Sequence, residues 1–268
     1  MNKVILITGA SSGIGKETAI MLLKKGYIVY GAARHTDKMK DIEAMGAKII
    51  DLDVSDESSV KSCVEKIIDS EGKIDVLFNN AGYGSYGAVE DVPISEAKKQ
   101  FDVNLFGLAH ITQLILPYMR KQKSGLIINT SSMAGRMYSP MGAWYHATKY
   151  ALEGFSDCLR FETKPFGIKV ILIEPGNIES EWTKIMLKNL KEASSNTAYK
   201  ETAEKLAELF IRKLKYSPSS LIAEKVCNVI ESKNPKTRYL IGANAKPAVF
   251  LRNILPDKAY DELFRKVL

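Results

Sequence analysis

Cysteine is scarce in this 268-residue chain: Cys63, Cys158 and Cys227 are odd in number and far apart. That pattern excludes a disulfide scaffold and fits a reducing compartment. Histidine is scarcer in clusters still. His35, His110 and His146 are scattered, and no Cys/His grouping has metal-ligand spacing, so no metal is expected. Long apolar runs are also missing. Val4 to Thr8 is too short for the apolar core of a secretion signal, and nothing approaches a membrane span. A cytoplasmic protein without a membrane part is expected. Linkers, low-complexity tracts and repeats are absent, so 1–268 is expected to form one domain.

Thirty-eight Lys and Arg against 31 Asp and Glu give a net charge of +7. The basic residues are densest in 184–215 and toward the C-terminus, where they alternate with Glu and Asp. Alternating signs read as solvated helix faces, and no nucleic-acid motif accompanies them, so no nucleic-acid partner is expected. The surplus still favours an anionic cofactor by steering it.

Strands and helices alternate from the start. Val4–Ile7 reads as a strand buried on both faces, and Gly13–Lys25 as the helix after it. Further strands are expected at 28–33, 48–52, 75–78, 125–129, 168–173 and 238–241. Helices are expected at 38–45, from Ser55, at 95–121 and at 145–164, with Pro117 a candidate kink. Repeated βα units imply a doubly wound parallel sheet of seven strands with helices on both faces, an α/β fold of Rossmann type. Residues 177–218 break the rhythm with helix-prone, Lys/Glu-rich sequence. Ligands in such sheets bind beyond the strand C-termini, so this insertion is expected to be a substrate lid.

The first strand runs into Thr8-Gly9-Ala10-Ser11-Ser12-Gly13-Ile14-Gly15. Glycines there permit a tight turn and close approach of a diphosphate to a helix N-terminus. Gly15-Lys16-Glu17 lacks the hydroxyl that would hold magnesium, which weighs against a nucleoside triphosphatase. The second strand ends Gly31-Ala32-Ala33-Arg34, where an acid would hydrogen-bond the adenosine ribose and repel a 2′-phosphate. Arg34 grips a phosphate instead, with Ser11 adding a hydroxyl, so NADP(H) is expected over NAD(H). Asp37 is a mild contrary sign.

Only Tyr145 among twelve tyrosines has Lys four residues on, at Lys149. Chance alone supplies such a match in a chain this rich in Lys. The physics is apt, because residues i and i+4 share a helix face and a nearby ammonium favours phenolate. The company it keeps is more telling: Ser132 ends the fifth strand, Asn79-Asn80-Ala81-Gly82 ends the fourth, and Asn104 lies within a helix. A buried helical Asn is disfavoured unless its amide is used.

With these motifs in order, residues 3–180 resemble the short-chain dehydrogenase/reductase family. Later residues resemble its 17β-hydroxysteroid-dehydrogenase-like and retinol-dehydrogenase-like branch. The resemblance implies Tyr145 as proton donor or acceptor and Ser132 as holder of the reacting oxygen. It implies Lys149 as the residue that lowers the phenol pKa and binds the nicotinamide ribose, and Asn104 as anchor of a proton-relaying water. It further implies Asp53 and Val54 beside adenine, Asn80, Ala81 and Gly82 along the cofactor, and Pro175, Gly176 and Ile178 around the nicotinamide. Ser180 stands where the family often has Thr, and keeps a hydroxyl for the nicotinamide amide. A homodimer or homotetramer is expected.

Loops facing that site carry Tyr83, Tyr86, Met133, Met137, Tyr138, Met141, Trp144, Trp182, Met186 and Leu187. Methionine and aromatics line adaptable apolar pockets, which points to a hydrophobic aldehyde, ketone or alcohol as substrate. Residues 247–268 carry further apolar positions, among them Val267 and Leu268, and are expected to cap the pocket or pack rather than lie on a membrane. The competing reading is a cofactor-binding regulator without turnover. No Gly-x-Ser-x-Gly elbow supports a Ser/His hydrolase.

Overall fold

A computed structural model describes residues 3–267, so Met1, Asn2 and Leu268, and the side chain of Val267, lie outside the described residues. The first half contains β1 (Val4–Thr8), α1 (Gly13–Lys24), β2 (Ile28–Ala33), α2 (Lys40–Ala44), β3 (Lys48–Asp51), α3 (Glu57–Glu71) and β4 (Val76–Asn79). It continues with α4 (Ile94–Phe101), α5 (Gly107–Gln122), β5 (Gly125–Thr130), α6 (Ala143–Thr163) and β6 (Ile168–Pro175). Then follow β7 (Ile178–Glu179), α7 (Glu181–Ser194), α8 (Lys200–Glu208), β8 (Ser217–Pro218) and α9 (Ser219–Glu231). Strand β9 (Arg238–Ile241), α10 (Ala245–Ile254) and α11 (Asp257–Val267) complete the order.

Seven strands form one parallel sheet in the order β3-β2-β1-β4-β5-β6-β9. The order reverses at β1, and that reversal leaves a crevice at the strand C-termini. Alternate residues of each strand feed two cores. Ile5, Ile7, Val76 and Phe78 meet α1, α2 and α9 on one face. Val4, Leu6 and Leu77 meet α3, α5 and α6 on the other. Both faces are covered, as the uninterrupted apolar runs demand. Helix α3 starts where Asp56 accepts from the Ser58 and Ser59 N–H groups and stops at Gly72, which adopts a left-handed φ of 69°.

Two departures from the expected pattern matter. The helix expected over 95–121 is interrupted by a π turn at Asp102–Phe106, while Pro117 sits inside α5. Apolar periodicity runs through both halves, so the sequence gives no warning of the wider turn. The insertion at 177–218 folds as α7 and α8 with a second π turn at Leu209–Lys213, and the two-residue strands β7 and β8 pair at its base.

Under the crevice a polar chain crosses the apolar core. Asn79 Nδ2 donates to Thr112 Oγ1 and Asn129 Oδ1, and Asn129 Nδ2 donates to Ser156 Oγ at 2.9 Å. This links β4, α5, β5 and α6, which carry the residues of interest. Asn129→Leu leaves one Asn79 amide proton and the Ser156 hydroxyl oxygen without their partners in the core, so chemical denaturation is expected to show a loss of about 1–3 kcal/mol.

Candidate active site

A cavity of about 600 Å³ opens at the C-terminal ends of the strands, lined from Gly9 after β1 to Pro175 and Gly176 at the end of β6. At one end lies the β1–α1 turn. Gly9 and Gly13 have φ of 69° and 53°, and a Cβ on Gly9 would stand 2.9 Å from Ala81 Cα. A Cβ on Gly15 would overlap the Gly9 carbonyl oxygen. The turn therefore requires glycine for packing as well as for conformation. Ser12, at the N-cap of α1, makes no side-chain capping bond, which leaves first-turn N–H groups to meet an anion.

Ser11, Gly13, Ile14, Arg34, Asp53, Val54, Asn80, Ala81 and Gly82 all line the cavity, as do Ile178 and Ser180. Thr8 and Gly15 do not. Thr8 Oγ1 accepts from the Asn80 and Ala81 N–H groups, and Asn80 Nδ2 donates to the Thr8 and Gly9 carbonyls. These residues lash β1 to β4 and shape the cradle from behind. Arg34 is exposed, and its charge helps hold the Asp53 carboxyl below its ordinary range; burial opposes that ionisation, while hydrogen bonds from Ser55 favour it.

Toward the other end, Ser132, Tyr145 and Lys149 share the buried wall. Lys149 Nζ donates to the Thr130 carbonyl at 2.8 Å and lies 5.8 Å from the centre of the Tyr145 ring. Burial pushes the ammonium down to about 8, opposed by Glu153 one turn along α6. The expected acidification of Tyr145 is not what the protein's own groups produce. Burial raises the phenol to about 12, and the Ser132 hydroxyl pulls weakly the other way. Desolvation penalises phenolate and ammonium alike. Tyr145 is thus held protonated.

Ser132 Oγ accepts from the Ala134 N–H at 3.1 Å, which fixes the oxygen, and its proton reaches the Pro175 carbonyl only at 3.4 Å. So long a bond is readily exchanged for one to a ligand oxygen. Asn104 does not face the cavity. Its amide donates to the Tyr83 carbonyl and Thr148 Oγ1, and its oxygen accepts from the Tyr83 N–H. Both amide protons are committed, so a water at Asn104 would have to donate to one of its oxygens.

His146 is the residue that sequence reasoning underrated. Its ring bridges the Ala134 carbonyl and the Ser139 N–H, pinning the loop that carries Ser132 to α6. Accepting from an N–H requires an unprotonated Nε2, and burial accordingly depresses its pKa. Arg238 acts similarly from β9, reaching Glu153 at 3.0 Å, Asp157 at 2.6 Å and buried Glu174 at 3.2 Å.

Of the loop residues expected at the substrate, Tyr83, Tyr86, Met133, Met137 and Trp182 line the cavity. Tyr138, Met141, Trp144, Met186 and Leu187 do not; Met186 belongs to the core between α7 and α8 and Tyr138 packs on Tyr260. Trp182 stands 5.0 Å from the Tyr145 ring, centre to centre. The sequence missed Leu206, Leu209 and Phe210 from the insertion. From α10 and α11 come Ala248, Leu251, Tyr260, Leu263 and Phe264, so the C-terminal segment lines the cavity.

Comparison with known proteins gives a consistent result. The family model described as short chain dehydrogenase matches residues 3–191. A probable short-chain type dehydrogenase/reductase, VdlC, of Helicobacter pylori is 41% identical over 98% of this chain and 97% of its own. A 3-ketodihydrosphingosine reductase of Bacteroides thetaiotaomicron is 40% identical over 90% and 88%. The crystal structure of a short-chain dehydrogenase from Streptomyces avermitilis superposes with a TM-score of 0.84 at 31% identity, covering 99% and 96%.

The tight turn supplies a test of the cradle. Gly15→Ala forces the Gly9 carbonyl out of place, and calorimetry is expected to show about 1–3 kcal/mol less stability together with weakened dinucleotide binding. Motif order, sheet order and full-length matches make the chain a member of the short-chain dehydrogenase/reductase family.

Proposed function

We propose that this chain is an NADP(H)-dependent oxidoreductase that interconverts a hydrophobic ketone or aldehyde and its alcohol, with Tyr145 passing the proton. The observation that carries this reading is the sharing of one cavity by a glycine cradle, a protonated phenol, a buried ammonium and a redirectable serine hydroxyl. The cradle's uncapped helix terminus and the clash that any Cβ on Gly9 would create fit a dinucleotide diphosphate. The nicotinamide, when bound, supplies or accepts the hydride at carbon.

The chain's own residues do the rest. Ser132 turns its proton from the Pro175 carbonyl to the substrate oxygen, its own oxygen staying anchored on the Ala134 N–H. Tyr145 delivers a proton to that oxygen in reduction and takes it back in oxidation. Lys149, with N–H groups left over after Thr130, stabilises the phenolate produced when Tyr145 gives up its proton. Pro175, Gly176, Ile178 and Ser180 bound the nicotinamide end, while Asp53 and Val54 bound the adenine end.

Arg34 supports the choice of NADP(H). It lines the cavity just after β2 with His35 and Lys38, and none of residues 31–34 is an acid that would reject a 2′-phosphate. The apolar walls formed by Trp182, Tyr86, Phe210 and Leu206 support a lipophilic substrate. A relative named for 3-ketodihydrosphingosine, a long-chain ketone, points the same way. The insertion then acts as a lid, hinged where β7 and β8 pair.

A screen of apolar ketones and aldehydes that follows NADPH oxidation is expected to find turnover. Tyr145→Phe is expected to cut it by about 10²–10⁴-fold while NADPH still binds. Retained turnover would refute Tyr145 as proton donor. Arg34→Ala is expected to weaken NADPH by about tenfold or more and to leave NADH nearly unchanged, as read by fluorescence titration.

A further inference from the structure

Around the cavity mouth the surface is apolar where water contact ordinarily selects polar side chains. Helix α10 buries Ala245 and Val249 and turns outward Pro247, Phe250, Leu251 and Ile254, spaced i, i+3, i+4 and i+7 on one face. Phe250 is 62% exposed and Ile254 55%. Leu251, and Leu263 of α11, are both exposed and cavity-lining, so they mark the rim. The insertion adds Ile185, also exposed and cavity-lining, and Ile211, which is 65% exposed beside the cavity-lining Phe210. Exposed apolar residues gathered at one opening differ from the single ones scattered over any surface.

The segments that carry these residues are also basic. Segments 209–215 and 245–267 hold eight Lys and Arg against three Asp and Glu, which accounts for most of the net +7. Arg212, Arg252 and Arg265 pair with Glu208, Asp257 and Glu262. Lys213, Lys215, Lys246, Lys258 and Lys266 enter no ion pair among the described residues. A two-fold contact with a second copy of the chain would set these lysines against their own equivalents. Anionic headgroups neutralise them and leave the mouth facing acyl chains.

We propose that this apolar, lysine-fringed collar docks on an anionic lipid surface, and that lipophilic substrate enters the cavity directly from it. Insertion of Phe250 and Ile254 supplies apolar burial, and the lysines supply an attraction that salt screens. Each lysine near such a surface strengthens binding about fivefold. The entry route rests on the carbonyl activity proposed above; docking does not, and the test reads docking alone.

The full-length protein is sedimented with vesicles of phosphatidylcholine, alone or mixed with phosphatidylglycerol. It is expected to co-sediment with the mixed vesicles, less so as salt rises, and to stay largely free of phosphatidylcholine. Phe250→Asp with Ile254→Asp, and separately Lys246→Glu with Lys258→Glu, are expected to lose binding about tenfold or more at unchanged thermal midpoint. Phe161→Asp, on the outer face of α6, is expected to bind as wild type. Three outcomes overturn the proposal: wild type free of both vesicles, variants that bind undiminished, or a wild-type oligomer that the Phe250/Ile254 variant dissociates without any vesicle binding.

Discussion

Burial of a phenol and an ammonium in one cavity is the constraint that the rest of the site serves. Tyr145 and Lys149 are one helical turn apart, both nearly removed from water. Desolvation works against the charged form of each, which raises the phenol and lowers the ammonium. The outcome is a phenol that keeps its proton at neutral pH, beside a cation whose charge is only loosely held. Such a pair is useful for moving a proton at neutral pH, and costly unless the surroundings hold it still.

The surroundings do hold it. Thr130 fixes Lys149, Ala134 fixes Ser132, and His146 fastens the intervening loop to the helix that carries Tyr145. Behind them Arg238 gathers carboxylates from α6 and β6. Below, the Asn79–Asn129–Ser156 chain sets the spacing of β4, β5 and α6. None of these groups needs to touch substrate. Their effect is to remove the freedom by which a loop serine and a helix tyrosine would drift apart.

Much of this was legible in the sequence for local reasons. Uninterrupted apolar strands between amphipathic helices leave little choice but a parallel sheet, and glycines at a strand–helix junction announce a close backbone approach. The place of Arg34 at the cavity was readable because its strand end was. Other features depend on contacts between distant segments. The π turn at 102–106 keeps the helical period, so only the buried Asn104 hinted at something unusual, and its amide serves Tyr83 and Thr148 rather than the cavity. Thr8 looked like a ligand contact and is a backbone fastener, since its partners lie at the end of β4. The apolar positions of 247–268 did announce a segment that reaches the cavity, whereas the bridging by His146 had no local signature. In each case the decisive partner is far away along the chain.

The pH dependence of kcat/KM for carbonyl reduction tests the central pairing most directly, because it reports ionisations of the free protein. On the proposed roles, reduction needs Lys149 charged and Tyr145 protonated, and the first condition fails first as pH rises. A plateau that declines above about 8, with no separate loss assignable to the phenol until far higher pH, is the predicted profile. A rate unchanged through that region, or one that climbs, would contradict the pairing of the buried ammonium with the proton-donating phenol.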